Sequence, residues 1–256
     1  ALSMEHGVAN ADLTSGVGTG SPLDLSVVLP IYNEAECIAD TLHELVGVLR
    51  GTDCRWEVLA VNDGSSDTTA DILESLQATM PELRMLTLIP NAGQSAAFGV
   101  GFREALGRTI VTMDADGQND PADIPKLLAE LGSHDCCFGY RATREDSFGK
   151  RVGSKIGNGV RNWVLGEAIR DTGCSLKAFP TECVQNLTMW KGLHRFLGSL
   201  LTIKGASIAQ IPVNHRARQK GTSKYTNLGR LKETVWDLLA VRWMKRRCPR
   251  FIVERH

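Results

Sequence analysis

From about residue 25 onward, short apolar runs alternate with longer amphipathic stretches, and this alternation restricts the possible folds most. The runs read SVVLPIY, WEVLAVND, RMLTLIP, TIVTMDAD and DCCFGY. Because they are apolar on both faces, they are typical of strands in a parallel sheet covered by helices. The stretches between them, at about 34–50, 67–80, 93–107 and 121–133, predict crossover helices. This order predicts an α/β fold with an open, mainly parallel, doubly wound sheet flanked by helices.

The second half of the chain differs in composition and is rich in Arg, Lys and Gly after about residue 140. It predicts a helix over 151–165, strands near 174–179 and 207–213, and a last helix over about 226–247. A mobile basic loop, HRARQKGTSKYTNLGR, precedes that helix. We expect three segments: a disordered N-terminal tail, an α/β domain, and a C-terminal amphipathic helix with a basic tail, at 1–23, 24–225 and 226–256.

The overall charge and the cysteines exclude several classes of protein. The 29 Lys and Arg residues balance the 29 Asp and Glu residues, so no global field attracts nucleic acid, and we expect no nucleic-acid partner. The seven cysteines have no metal-binding spacing, which predicts reduced thiols in the cytosol, with Cys136 and Cys137 in a buried strand. No apolar run approaches the roughly 20 residues that cross a bilayer, and we expect no signal peptide.

Polar side chains follow the early strands at the point where each predicted strand ends. They are Asn33 and Glu34, then Asp63, then Asp114 and Asp116. In open α/β sheets, ligands bind beyond the carboxyl ends of the strands. The sequence therefore predicts that these side chains converge on one ligand site.

The segment DADGQ carries two carboxylates one residue apart and an amide two residues later, at Asp114, Asp116 and Gln118. Oxygen ligands of this kind suit Mg²⁺ or Mn²⁺, with phosphate oxygens and water in the remaining positions. The alternative is an ordinary turn with an Asp cap. The basic segment RQKGTSK, residues 218–224, has the groups that close over a diphosphate, although it also fits a solvated loop.

Several motifs together resemble family 2 glycosyltransferases with the GT-A fold, in the polyprenyl-phosphate (dolichyl-phosphate mannosyltransferase-like) branch. They are VVLPIYNE, VNDGSSDTT, NAGQSAAFGVGF, DADGQNDP, GYR, RVGSK, DTGCSLKAF and RQKGTSK. They occur in the family order, and the similarity extends over about 26–245. The first turn reads PIYNEAE and lacks G-x-G-x-x-G, which argues against a dinucleotide-binding oxidoreductase.

The resemblance implies a role for each matched position. The nucleoside pocket would use Pro30, Tyr32 and Glu34, with Asp63 holding the base. The metal and diphosphate would use Asp114, Asp116 and Gln118, with Arg218, Ser223 and Lys224 from the basic loop. The acceptor phosphate would use Arg141, Arg151 and Ser154, although Lys150 and Arg151 could exchange roles, and Asp171 would lie near the sugar.

The implied reaction is metal-dependent transfer, with inversion, of a sugar from a GDP- or UDP-linked donor to a polyprenyl phosphate. A phosphate monoester has its second pKa near ~6, so this acceptor can attack without a general base. Two alternatives stay open. One is transfer to a soluble or polysaccharide acceptor with Asp171 as the base, and the other is a non-catalytic protein that binds nucleotide sugars.

The last predicted helix carries an apolar stripe at i, i+3, i+4, i+7 and i+8, followed by basic residues. The stripe either packs on the core of the protein or lies in the headgroup layer of an anionic membrane. The second interpretation predicts a peripheral enzyme at the cytoplasmic face of the membrane, or one with a membrane-protein partner. The stripe consists of Trp236, Leu239, Ala240, Trp243 and Met244.

Overall fold

The computed structural model describes residues 23–142, 148–217 and 227–248, without the side chains of 148–156 and 227–233. The strands are β1 Leu23–Ile31, β2 Trp56–Asn62, β3 Leu83–Thr87, β4 Gly107–Thr112, β5 Cys136–Arg141, β6 Lys177–Pro180 and β7 Ile208–Val213. The α-helices are α1 Ile38–Leu49, α2 Thr69–Gln77, α3 Gln94–Glu104, α4 Ile124–Glu130, α5 Phe148–Leu165, α6 Leu197–Ile203 and α7 Asn227–Arg247.

The strands form one sheet in the order β3-β2-β1-β4-β6-β5-β7. The first four strands in this order are parallel to one another, and Val27 in β1 pairs with Val58 on one side and Val111 on the other. Strand β6 is antiparallel to both β4 and β5, whereas β5 and β7 are parallel. This topology confirms the predicted α/β class with an open, mainly parallel sheet and flanking helices.

Helices cover both faces of the sheet, which explains why the strands are apolar on both sides. On one face, Leu45 of α1 and Leu73 of α2 pack against residues such as Val27. On the other face, Phe98 and Phe102 of α3 pack against residues such as Val28. Burial of these side chains contributes roughly 1.5–3 kcal/mol each to the free energy of folding.

Most predicted elements are present, although several boundaries differ, and α5 begins at Phe148 and not at residue 151. The fourth predicted helix begins as a short 3-10 helix, Pro121–Asp123, where Asp120 Oδ1 accepts a hydrogen bond from Ala122 N, and continues as α4. Strand β6 begins at Lys177 and not near residue 174. The sequence analysis did not predict α6, because a helix of seven residues depends on tertiary packing more than on a local pattern.

The predicted disordered tail, apart from residue 23, lies outside the described residues, and residue 23 begins β1. Cys136 and Cys137 are buried in β5, as predicted. All seven cysteines belong to the described part of the chain and are free thiols. Within the ranges that the structure describes, no helix has both the length and the apolarity that crossing a bilayer requires.

The last helix, α7, contacts the domain through the face opposite the apolar stripe. Val241 is fully buried, and Leu238 packs against the same small cluster as Phe196. Trp236 and Trp243, by contrast, are 66% and 63% exposed. The stripe therefore does not pack on the core, and this alternative is wrong for α7 within the described residues.

Candidate functional site

The end of β1 is held in place by hydrogen bonds to the start of α2. Asn33 has a φ of 53°, and its side chain Oδ1 accepts a hydrogen bond from Ser66 N at 2.7 Å. Glu34 N donates to Thr69 Oγ1 at 3.0 Å. Pro30 is half-buried within β1 and Tyr32 is 36% exposed, so the predicted nucleoside residues follow the strand into an accessible turn.

Asp63 follows β2 and is almost fully buried, with several hydrogen-bond donors on its carboxylate. Ala92 N donates to Oδ1 at 2.8 Å, and Gly93 N donates to Oδ2 at 2.8 Å. Asn91 Nδ2 adds a bond to Oδ2 at 2.9 Å. Asp63 thus shapes the loop that leads into α3, and its predicted contact with a base stays a prediction.

The DADGQ segment forms a tight turn after β4. Gly117 has a φ of 73°, a conformation that glycine adopts at low cost, and Gln118 N donates to Asp116 Oδ1 at 3.1 Å. Asp114 Oδ1 accepts a bond from Gln94 Nε2 at 3.1 Å, and Asn119 Oδ1 accepts one from Asp114 N at 3.0 Å. The turn therefore fixes both carboxylates at the predicted edge of the sheet.

The two carboxylates are close enough to influence each other electrostatically. Burial, together with the negative charge of Asp116, raises the pKa of Asp114 from 3.8 to about 6. A bound cation would remove this penalty, because an opposite charge favours the ionised form. Gln118 uses its nitrogen Nε2 to bond Arg216 O at 3.2 Å, so its oxygen Oε1 is the atom suited to a cation.

The donor atoms at this turn fit a divalent ion that also binds phosphate. Within the described part of the chain, no group of three or more His, Cys, Asp and Glu side chains is arranged to hold a metal. Two carboxylates and one amide oxygen form an incomplete set, which suits Mg²⁺ or Mn²⁺ when a ligand supplies further oxygens. The predicted ligands Asp114, Asp116 and Gln118 would hold such an ion.

The predicted phosphate-binding residues Arg218, Ser223 and Lys224 lie outside the described residues. The chain just before them is described, and it pairs with the DADGQ turn. His215 forms an antiparallel bridge with Asn119, and Arg216 N donates to Gln118 O at 2.9 Å. The basic loop therefore begins beside the two carboxylates.

Arg141, at the end of β5, forms a bidentate ion pair with Asp171. The distances are 2.7 Å from Nε to Oδ2 and 2.9 Å from Nη2 to Oδ1. Both side chains are largely buried. Arg151 and Ser154 belong to α5, but their side chains lie outside the described part, so the predicted acceptor cluster is seen only at Arg141.

A cleft of about 260 Å³ lies beside Asp114 and contains residues that the sequence analysis did not single out. Among them are Gln94, Lys177 and His194, contributed by α3, β6 and the 3-10 helix Leu193–Arg195. Burial lowers the pKa of the Lys177 ammonium. A lysine inside the apolar stretch CSLKAF was the available signal, because unpaired charges are rarely buried without a role.

Comparison with known proteins finds relatives of this chain in one family. Residues 26–184 match the family model described as glycosyl transferase family 2. A dodecaprenyl-phosphate galacturonate synthase from Rhizobium johnstonii is 33% identical over 238 residues, covering 90% of this chain and 70% of the relative. An undecaprenyl-phosphate 4-deoxy-4-formamido-L-arabinose transferase from Salmonella enteritidis is 33% identical over 217 residues, covering 84% of this chain and 66%, just under two thirds, of that relative.

Solved structures show the same fold at lower sequence identity. Glucosyl-3-phosphoglycerate synthase from Mycobacterium tuberculosis, in complex with Mn²⁺ and UDP-glucose, has a TM-score of 0.66 and 18% identity, covering 89% of this chain and 80% of the other. The S. aureus TarS 1-349 complex with UDP-GlcNAc has a TM-score of 0.59 and 16% identity, covering 87% and 67%. The GT-A fold expected from the motifs is thereby confirmed.

The curated relatives carry names of the polyprenyl-phosphate branch, as the motifs indicated, and the match to the family model spans more than half of the sequence. The chain belongs to glycosyltransferase family 2 and is a glycosyltransferase.

Proposed function

We propose that this glycosyltransferase moves a sugar, with inversion, from a GDP- or UDP-linked donor to a polyprenyl phosphate in a reaction that needs Mg²⁺ or Mn²⁺. The main support is the pair of carboxylates, Asp114 and Asp116, at the carboxyl edge of the sheet, next to the first residues of the basic loop. The names of the two relatives include dodecaprenyl phosphate and undecaprenyl phosphate, which supports a polyprenyl phosphate as the acceptor.

In this proposal the donor diphosphate lies between the carboxylates and the basic loop. A bound cation would supply positive charge that stabilises the departing nucleotide diphosphate. Asp114 and Asp116 would hold this cation through their carboxylates, and Gln118 through its amide oxygen. Arg218 adds a guanidinium from the loop, which can bind two phosphate oxygens at once.

The acceptor phosphate needs positioning more than it needs a base. At neutral pH a phosphate monoester is mostly dianionic, because its second pKa is near ~6, and it can attack the sugar directly. Arg141 would bind this dianion together with Arg151 and Ser154. The guanidinium of Arg141 is already oriented by Asp171, so little ordering is needed when the phosphate binds.

The alternative acceptor, a sugar alcohol, requires Asp171 to remove a proton. Both of its carboxylate oxygens accept hydrogen bonds from the Arg141 side chain, and Gly173 N donates a further bond at 3.1 Å. Removal of a proton would require this ion pair to open. The geometry therefore favours the phosphate acceptor over the alcohol.

We place the enzyme at the cytoplasmic face of a membrane as a peripheral protein. The support is the exposed stripe of α7, in which Trp236 and Trp243 are accompanied by exposed Arg246 and Arg247 near the end of the helix. Tryptophan suits the headgroup layer and arginine suits anionic lipid. A membrane-protein partner stays a prediction that none of the comparisons addresses.

The test is the variant Asp116→Ala, assayed with UDP- and GDP-linked sugars, a short polyprenyl phosphate and Mn²⁺. We expect transfer to fall at least a hundredfold, and Mn²⁺-dependent binding of the nucleotide to be lost in calorimetry. The matched control is Asp53→Ala at an exposed loop position, which should leave both unchanged. Full metal-dependent turnover by Asp116→Ala, or transfer only to sugar alcohols, would contradict the proposal.

A further inference from the structure

The cleft beside Asp114 has the size and lining of a binding site for one small polar group. Its volume of about 260 Å³ accommodates a small polar group of a larger ligand. Phe98 and Leu193 form part of an apolar wall, and Thr112 and Ser175 contribute hydroxyl groups. The proposed metal turn borders the cleft through Asp114.

Lys177 is the buried charge of this cleft. It is the first residue of β6 and pairs with Thr112 of β4 and Phe138 of β5. It is 5% exposed, its Nζ donates a hydrogen bond to Cys174 O, and the ammonium lies 5.6 Å from the centre of the Phe138 ring. An ammonium has three donors, and the carbonyl of Cys174 uses one of them.

The carboxylates of Asp114 and Asp171 favour the charged form of Lys177 through space, but both are hydrogen-bonded to other groups. Asp171 is bound on both oxygens by Arg141, and Asp114 accepts a bond from Gln94 and belongs to the proposed metal site. Across the ranges that the structure describes, Lys177 has no carboxylate within the 4.0 Å that defines an ion pair. Burying an unpaired ammonium is costly, and an anion that enters the cleft would offset this cost.

The lining of the cleft includes a second polar group, the imidazole of His194. Ser95 Oγ lies 2.8 Å from His194 Nδ1 and accepts a hydrogen bond from Gly192 N at 3.0 Å. The direction of the hydrogen bond between Ser95 and His194 depends on the tautomer of the imidazole. The cleft thus offers both a charged donor and an imidazole.

We infer that Lys177 is a substrate-binding residue whose ammonium binds an anionic oxygen of a substrate in this cleft. The inference rests on the proposed function, in which the phosphate of the acceptor is one source of such an oxygen. A donor sugar that carries a carboxylate would be the other source. The diphosphate of the donor is a separate group, because the proposal places it between the carboxylates of Asp114 and Asp116 and the basic loop, and binding of UDP alone tests it.

The test compares wild type with Lys177→Met by calorimetry in the presence of Mn²⁺, using UDP, UDP-glucose, UDP-glucuronate and a short polyprenyl phosphate, with the GDP series in parallel. Loss of a charge-assisted hydrogen bond should weaken one class of ligand about tenfold or more. Weakened binding of UDP-glucuronate alone identifies the sugar carboxylate, and weakened binding of polyprenyl phosphate alone identifies the acceptor. Lys177→Arg should partly restore that same affinity.

Lys204→Met is the matched control, because Lys204 Nζ also donates to a cysteine carbonyl, Cys183 O at 3.1 Å, but is exposed. Unchanged affinity of Lys177→Met for every ligand would overturn the inference. An equal loss for all ligands, UDP included, would also overturn it, because that pattern indicates a purely structural role. If Lys177→Met fails to fold, Lys177→Gln is measured in the same way.

Because binding is measured without turnover, the inference and the proposed function can fail separately. A protein that never transfers sugar to polyprenyl phosphate, yet loses affinity for UDP-glucuronate in Lys177→Met, would contradict the proposed acceptor and support Lys177 as a substrate contact.

Discussion

The carboxyl group of Asp114 shows how the fold changes the chemistry of a single residue. Its pKa is raised to about 6, so the folded protein binds a proton more tightly there than the unfolded chain does. An acid whose pKa is higher in the folded state destabilises the protein as pH rises from its unfolded value of 3.8 through about 6. The ionised carboxylate of Asp114 therefore lowers the free energy of unfolding when no cation is bound beside it.

We predict that Asp114→Asn increases the free energy of unfolding of the metal-free protein at pH 8. The gain should be about 1–3 kcal/mol, since one pKa unit corresponds to about 1.4 kcal/mol and the side chain is only half-buried. The gain should shrink steadily between pH 6 and pH 4, where wild-type Asp114 becomes protonated. Urea unfolding in EDTA measures both effects, with the exposed Asp53→Asn as the control. A variant no more stable than wild type at pH 8 would show that the carboxylate carries no penalty.

Among the structural elements, the segment after β7 connects the basic loop to the metal turn. Besides its backbone bond to Gln118, Arg216 binds the carboxylate of Glu44 in α1 through Nη1 at 2.8 Å and Nη2 at 2.7 Å. Its Nη2 atom also lies 3.1 Å from Asp120 Oδ1. These carboxylates raise the pKa of the Arg216 guanidinium. Exposed ion pairs of this kind contribute at most about 1 kcal/mol to stability, so their main effect here is on position.

We predict that Arg216→Met raises the KM for the nucleotide sugar by roughly three- to tenfold, while the melting temperature and kcat change little. The physical reason is that the first residues of the loop that carries Arg218 would be less well ordered, so that more order would have to be gained when the donor binds. Steady-state kinetics at saturating acceptor would measure the KM for the nucleotide sugar and the kcat separately. The control is Arg108→Met, which removes another exposed arginine away from the site. The Arg108 Nη2 atom lies 2.5 Å from Asp24 Oδ1. An unchanged KM would mean that the backbone pairing alone positions the loop.

For the whole molecule, the question is which surface faces a membrane. The exposed tryptophans of α7 are seven residues apart and therefore lie on one side of the helix. We predict that changing both Trp236 and Trp243 to Ala weakens binding to anionic vesicles about tenfold or more, with less effect on soluble nucleotide binding. Sedimentation with vesicles of mixed neutral and anionic lipid, at low and high salt, measures this.

The control for vesicle binding is Ile89→Ala, which removes an 89% exposed apolar side chain in the loop after β3. It should leave the affinity for vesicles unchanged. If the double tryptophan variant binds vesicles as wild type does, α7 is not the membrane-facing surface, and the proposed peripheral location loses its structural support.

The amino-acid sequence by itself determined the order of strands and crossover helices, because the apolar period is a local property of the chain. It also indicated the edge where Asp63, Asp114 and Asp116 lie, since parallel strands of a doubly wound sheet end on the same side. The order of the motifs was sufficient to identify the family. None of these three results depends on contacts between distant residues.

The tertiary structure alone decided which side chains are paired. Glu57 appears within an apolar run, but Ser26, Arg84 and Leu106 N all donate to its buried carboxylate. In the same way, Asp171 is committed to Arg141, thirty positions away, and Lys177 lies in a cleft formed with α3. Such pairings join residues that are far apart in the chain, and a pattern of neighbouring residues does not record what lies across the sheet.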